Sequence, residues 1–238
     1  GDPRNDSLAL ASEEYDMMPA ASRGSPPIVT PQWDGPVTDR HCCHQYFGGD
    51  LQGVIDRLDY LQSLGVTLLY FNPIFLAGST HGYDTWDYRQ IDPALGDTTT
   101  LRALLTAAQA RGMRVMWDFV PNHVGVGHPP FRDAVARGTT SPFWSWFTFK
   151  VPPGQVQIGN GTHYEAFWGF GSMPKLDTRV AAVREHLLDA VRQWTRFGLQ
   201  GIRVDVPNEL WNAPEFFREF RHEAKGLAPE TYLVGEIW

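Results

Sequence analysis

The run VAAVREHLLDAVRQWTRFGLQGIRVDV, residues 180–206, is a helix, a stop and a strand in succession. Val180, Val183, Leu187, Val191 and Trp194 recur at helical spacing, and Gly198 supplies the stop. Gly201 to Val206 then reads as a buried strand carrying only Arg203 and Asp205 as charges. The same order appears on both sides of it. Upstream, Leu51, Val54, Ile55, Leu58 and Leu61 follow Asp50 as N-cap, Gly65 closes the helix, and Val66 to Phe71 is the strand. Leu101, Leu104, Leu105 and Ala108 end at Gly112 before the strand Arg114 to Phe119. Downstream, Pro214 opens a helix bearing Phe216, Phe217 and Phe220, and Tyr232 to Ile237 is the strand after it. A short strand at Tyr88 to Ile91 is counted as one more.

Apolar strands alternating with amphipathic helices specify parallel strands covered by helices, which leaves an open doubly wound sheet or a (β/α)8 TIM barrel. None of the glycine pairs completes a G-x-G-x-x-G after a strand, and no P-loop or G-x-S-x-G is present, so the barrel is the better reading. Residues 1–40, rich in Pro, Gly, Asp and Ser, form a leader packing on the barrel. Residues 41–121 are its first part, 122–177 an inserted loop domain after the third strand, and 178–238 strands four and five. A closed barrel needs eight strands, so five describe a barrel truncated after the fifth, with the remainder absent. Such a piece is expected to be inactive and poorly soluble alone, since an uncovered strand edge invites aggregation.

Composition sets the partners aside. The 238 residues are 42% hydrophobic with a net charge of −7, enough for one core and without the basic footprint that nucleic acid or anionic lipid requires. No apolar run approaches the ~18 residues that span a bilayer. Cys42 and Cys43 are neighbours, which cannot form an unstrained bridge, so a reducing, cytoplasmic setting is favoured. His41 and His44 flank them, but four consecutive side chains point in alternating directions and structural zinc ligands are spaced apart.

Polar residues gather at strand ends, the face where barrel active sites lie. Asp118 and His123 end one strand, Arg203 and Asp205 another, and Glu236 the last. A solvated charge explains any one of these, but not the same placement on three strands. Arg203 and Asp205, two apart, face the same side, and the guanidinium favours the ionised carboxylate of a nucleophile. One helix separates Asp205 from Glu236, which puts them on neighbouring strands about 4.8 Å apart. Retaining glycosidases need carboxyl groups ~5 to 5.5 Å apart, and inverting enzymes ~6.5 to 9.5 Å. Two carboxylates about 5 Å apart repel by about 3 kcal/mol at an effective dielectric of ~20, or roughly two pKa units. With the charge held on Asp205, Glu236 is expected to carry the raised pKa of a proton donor.

DFVPNH (118–123), GIRVDVPNE (201–209) and GEIW (235–238) resemble the conserved blocks of the alpha-amylase family of glycoside hydrolases. The resemblance implies that Asp205 is the nucleophile and Glu236 the acid/base of a retaining enzyme. It places Arg203, His123, Asp118 and Trp238 around nucleophile and sugar, and Tyr83 in HGYD (81–84) against the sugar before the cleaved bond. MPKLD (173–177), FGGDLQG (47–53) and Asn208-Glu209 look like the neopullulanase, cyclomaltodextrinase and maltogenic amylase branch, whereas Pro207 stands where that branch has a small residue. The branch acts on cyclodextrins, pullulan and maltooligosaccharides, with some transglycosylation, so an α-glucan oligosaccharide is the expected partner. A homodimer of the full-length enzyme is compatible with it, and a non-catalytic amylase-like module is the alternative of another class. A third carboxylate of the family would fall beyond Trp238. Asp2, Asn5 and Asp6, with Asp50 and the Gly48 carbonyl, resemble a calcium site of the branch and are the hard oxygen ligands calcium takes.

Overall fold

The computed structural model describes residues 48–237 and, in backbone only, the strands β1 (Ile28–Val29) and β2 (Gln45–Tyr46), which pair in parallel. Then follow α1 (Leu51–Asp56), α2 (Leu58–Ser63), β3 (Leu68–Phe71), β4 (Phe75–Ala77), β5 (Thr85–Ile91), α3 (Thr98–Gln109) and β6 (Arg114–Phe119). After α4 (Pro129–Arg137) come α5 (Ala181–Phe197), β7 (Gly201–Val204), α6 (Ala213–Leu227) and β8 (Tyr232–Gly235).

Strands β3, β6, β7 and β8 form one parallel sheet in that order, each joined to the next through a helical crossover. Side chains alternate across it. Val115, Trp117, Phe119, Ile202 and Val204 are buried on one face under the helices, meeting Val183, Leu187, Val191 and Trp194 of α5 and Phe216 and Phe220 of α6 in one core. The other face carries Asp118 and Arg203, which are partners in register, with Tyr70 and Tyr232 half open to solvent. Gly198 closes α5 at φ 116 in the left-handed region, as the sequence requires, and Gly65 and Gly112 do the same for α2 and α3.

One expectation is corrected. The segment around Tyr88 is a strand, but β5 pairs antiparallel with β4 in a separate two-stranded sheet. Tyr88 is anchored outside the parallel sheet, its hydroxyl donating to the Val120 carbonyl and its own carbonyl accepting from Trp194 Nε1. Among the described residues the parallel sheet has four strands, and β5 is not one of them. Residues 122–177 lie between β6 and α5, with β7 and β8 after them.

The insertion leaves and returns at one place. Val124 N donates to Pro174 O, Leu176 N donates to Asn122 O, and His123 bridges to Lys175. Between these ends a small aromatic core forms, with Phe131 edge-on to Phe147 and Tyr164, each at 5.0 Å, and Trp144 stacked on Phe149 at 4.0 Å. One wall of the cleft described next is thereby fixed to the sheet.

Candidate active site

Val204 pairs with Gly235 at the last rung between β7 and β8, so Asp205 and Glu236 each stand one residue beyond it. Their amides continue the ladder, Asp205 N donating to Phe119 O and Glu236 N to Val204 O. Arg203 ties the carboxylates together. Its Nη1 donates to both oxygens of Asp118 at 2.7 and 3.0 Å and to Asp205 Oδ1 at 3.1 Å, while Nη2 reaches Glu236 Oε2 at 2.6 Å. Asp118 also accepts from the hydroxyls of Tyr70 and Tyr83.

Three carboxylates share one cation. Burial pushes the Asp205 carboxyl up to about 7, with the charges of Asp118 and Glu236 adding to the rise and Arg203 opposing it. This runs against the expectation that Arg203 holds the charge on Asp205. Two-residue spacing reveals the guanidinium but not the burial, and not Asp118 on the next strand. Burial also raises Asp118, against hydrogen bonds from Tyr70, Arg203 and Tyr83 that favour its anion. For Arg203 burial disfavours the charge, but hydrogen bonding to Asp118 and that residue's negative charge prevail and the guanidinium stays protonated.

His123 is buried, and desolvation, with Lys175 and His81 nearby, lowers it to about 3, so the imidazole is neutral. Asn122 Nδ2 lies 3.1 Å from Nδ1, a contact made by the tautomer that carries its proton on Nε2. No well-formed hydrogen bond reaches that nitrogen among the described residues, although the Tyr83 backbone lies near the ring. Nε2 is a desolvated donor suited to a hydroxyl, because an unpaired buried N–H costs free energy until a ligand satisfies it.

Asp205 and Glu236 open into a cleft of about 360 Å³ lined also by His81, Tyr83, His123, Phe167, Trp168, Met173 and Val206. Val206 holds φ 34, rare for a β-branched residue, at the turn after the Asp205 strand end. Of the residues singled out from sequence, Asp205, Glu236, His123 and Tyr83 line the cleft, and Arg203 and Asp118 support it. Asn208 and Glu209 do not line it; they lie in the turn that follows, where the Glu209 carbonyl accepts from Lys175 Nζ at 2.6 Å. Asp50 caps α1 by accepting from Gly53 N at 2.6 Å, and Gly48 lies just before it. Asp2, Asn5, Asp6, Trp238 and the Cys42-Cys43 pair with its flanking histidines lie outside the described residues.

Tyr70 is a site residue that strand-end reading overlooks. It sits inside β3 rather than beyond it, and its signal is a hydroxyl in the otherwise apolar LLYF (68–71).

Residues 12–238 match the alpha amylase, catalytic domain, and the chain belongs to the alpha-amylase family. That family's catalytic domain is a (β/α)8 barrel, to which the parallel sheet and its helices correspond. The chain is 45% identical over 194 residues to a maltogenic alpha-amylase of Bacillus acidopullulyticus, covering 81% of this chain and 32% of that protein. It is 45% identical over 213 residues to neopullulanase 2 of Thermoactinomyces vulgaris, covering 89% and 35%. Among solved structures, the type III pullulan hydrolase from Thermococcus kodakarensis superposes with a TM-score of 0.94 at 51% identity, covering 100% of this chain and 41% of that one. The chain thus spans about a third of the length of the curated relatives it matches.

Proposed function

We propose that the full-length protein is a retaining glycosidase cleaving α-1,4-glucosidic bonds of cyclodextrins, maltooligosaccharides or pullulan. The observation that carries this reading is the placement of Asp205 and Glu236, one residue past the same rung of neighbouring strands and both held by Arg203 at the floor of one cleft. Neighbouring strand axes lie about 4.8 Å apart, which suits the ~5 to 5.5 Å carboxyl separation of a covalent intermediate better than the ~6.5 to 9.5 Å of an intervening water. Asp205, once ionised, attacks the anomeric carbon and the Glu236 carboxylic acid protonates the departing oxygen. Glu236 then takes a proton from the water or sugar hydroxyl that releases the glycosyl ester. His123 Nε2–H and Tyr83 orient the sugar, while Asp118 keeps Arg203 and Tyr83 in place.

NMR of a fresh β-cyclodextrin digest by the full-length enzyme tests the stereochemistry: the first product anomer is α. Initial β product would mean inversion and would sink the reading. The named relatives favour small glucans as substrates, so cyclodextrins and short maltooligosaccharides should be cleaved faster per molecule than raw starch. A preference for granules, measured as reducing ends released, would move the protein elsewhere in the family. A sugar hydroxyl replacing water gives transglycosylation with the same intermediate, detectable as longer products when glucose is added. A non-catalytic role is disfavoured because both strand-end carboxylates and the guanidinium between them are intact.

For calcium, Asp50 and the Gly48 carbonyl are proposed ligands together with Asp2, Asn5 and Asp6. The carboxylate and carbonyl oxygens suit the ion, and Asp50 is oriented by its capping bond from Gly53 N. Bound calcium would join the leader to α1. Chelation of the full-length protein is expected to lower the thermal midpoint by several degrees, roughly the effect of losing one to two kcal/mol. Calcium should restore it and magnesium should not, and an unchanged midpoint removes the site.

A further inference from the structure

We propose that Trp168 is a stacking platform for a glucosyl ring of the α-glucan, two rings outward from His123 by way of Phe167, and sets affinity for longer or cyclic substrates. The inference rests on the glycosidase reading above and extends it to a residue that neither the strand-end pattern nor the family motifs pick out.

Trp168 is 66% exposed although it lies among apolar neighbours, and its backbone is held at φ 48, ψ 25, a left-handed conformation that non-glycine side chains rarely adopt. Strain of this kind persists only where the surroundings fix it, and it clusters at ligand clamps. The surroundings here do fix it. Phe167 N donates to Met173 O, Gly169 N to Ala166 O and Phe170 N to Phe167 O, so the turn is closed on itself. Beneath it two backbone segments cross so closely that a Cβ on Gly171 would lie 1.9 Å from Gly159 O, and one on Gly161 2.2 Å from Gly169 O. The buried Tyr164 hydroxyl locks the crossing, accepting from Gly159 N at 2.8 Å and donating to Gly171 O at 2.5 Å. The indole is therefore presented rigidly, which spares a ligand the entropy of ordering it.

The rings are also aligned. His123 stacks on Phe167 at 4.5 Å and 14°, and Phe167 on Trp168 at 4.8 Å and 19°. This stack runs from the hydrogen-bond donor at the cleft floor to solvent, and Trp168 lines the same cleft as Asp205 and Glu236. A glucosyl ring has apolar C–H faces and a hydroxylated rim, which matches an aromatic plane beside a buried polar donor.

The test uses the full-length enzyme. W168G removes the ring at a φ that glycine tolerates, so the loop keeps its shape, and W168F keeps a ring. W168G is expected to raise KM for β-cyclodextrin and maltohexaose roughly tenfold while kcat changes less than about twofold, with W168F recovering most of the loss. In the D205N background, β-cyclodextrin should quench an indole signal that the D205N/W168F double variant lacks. A W168G enzyme with wild-type KM, or one altered only in thermal midpoint or oligomeric state, would overturn the inference and leave the glycosidase reading standing. A wild-type enzyme inert on every α-glucan would overturn both.

Discussion

Replacing Asp205 by Asn in the full-length enzyme should cut turnover of β-cyclodextrin by ~10⁴-fold or more, because an amide cannot form the glycosyl ester on which the retaining pathway depends. Rate constants for the purified variant, set against a double variant to exclude contaminating wild type, decide it; retained activity ends the assignment. The same carboxyl governs pH dependence. Raised to about 7, it must lose its proton to act, so kcat/KM of the wild type rises as pH passes through that value. Stability runs the opposite way. The folded-state pKa lies above the unfolded value of about 3.9, so the folded chain holds this proton more tightly. Its contribution is complete below about pH 4 and is lost as pH climbs through about 7. D205N lacks that slope, and its thermal midpoint should gain on the wild type between pH 4 and pH 8. A difference that stays flat over this range would mean that Asp205 is ionised in the free enzyme throughout.

Glu236→Gln should divide substrates by leaving group. Departure of a sugar alkoxide needs protonation, and removing a positioned acid costs about 10² to 10⁴ in rate. An activated aryl maltoside departs as a stable phenolate and needs little help, so its first step should slow less than about tenfold. The variant keeps a side chain that can still meet Arg203 Nη2, which holds the geometry while removing the acid. Parallel loss on both substrate classes would argue that Glu236 serves position rather than proton transfer.

The helix-stop-strand order was legible because each device leaves its own mark. Gly65, Gly112 and Gly198 stand where the chain must turn left-handed, and period 3.6 gives way to buried strands immediately after them. Strand pairing leaves no such mark. The sequence marks Tyr88 to Ile91 as extended, but the strand runs Thr85–Ile91 and its antiparallel partner is the three-residue β4, too short to show a period, so its pairing outside the parallel sheet is not legible. At the site, strand-end position located Asp118, Arg203, Asp205 and Glu236. It could not find Tyr70, which approaches Asp118 from 48 residues away, nor the burial that raises Asp205.

The paired ends of the insertion also bear on how such a cleft can change. His123 and Lys175 are bridged at its neck, so the chain between them begins and finishes at fixed points whatever its length. Closing a longer loop between fixed points adds only about 0.6 kcal/mol of entropy per doubling of length, a cost that one added aromatic contact covers. The neck therefore makes the segment an exchangeable cassette: its rim, including the turn that bears Trp168, can be rewritten residue by residue or replaced wholesale while the strand ends beneath keep their registry. Selection for a new glucan would thus act first on the cassette and last on the sheet.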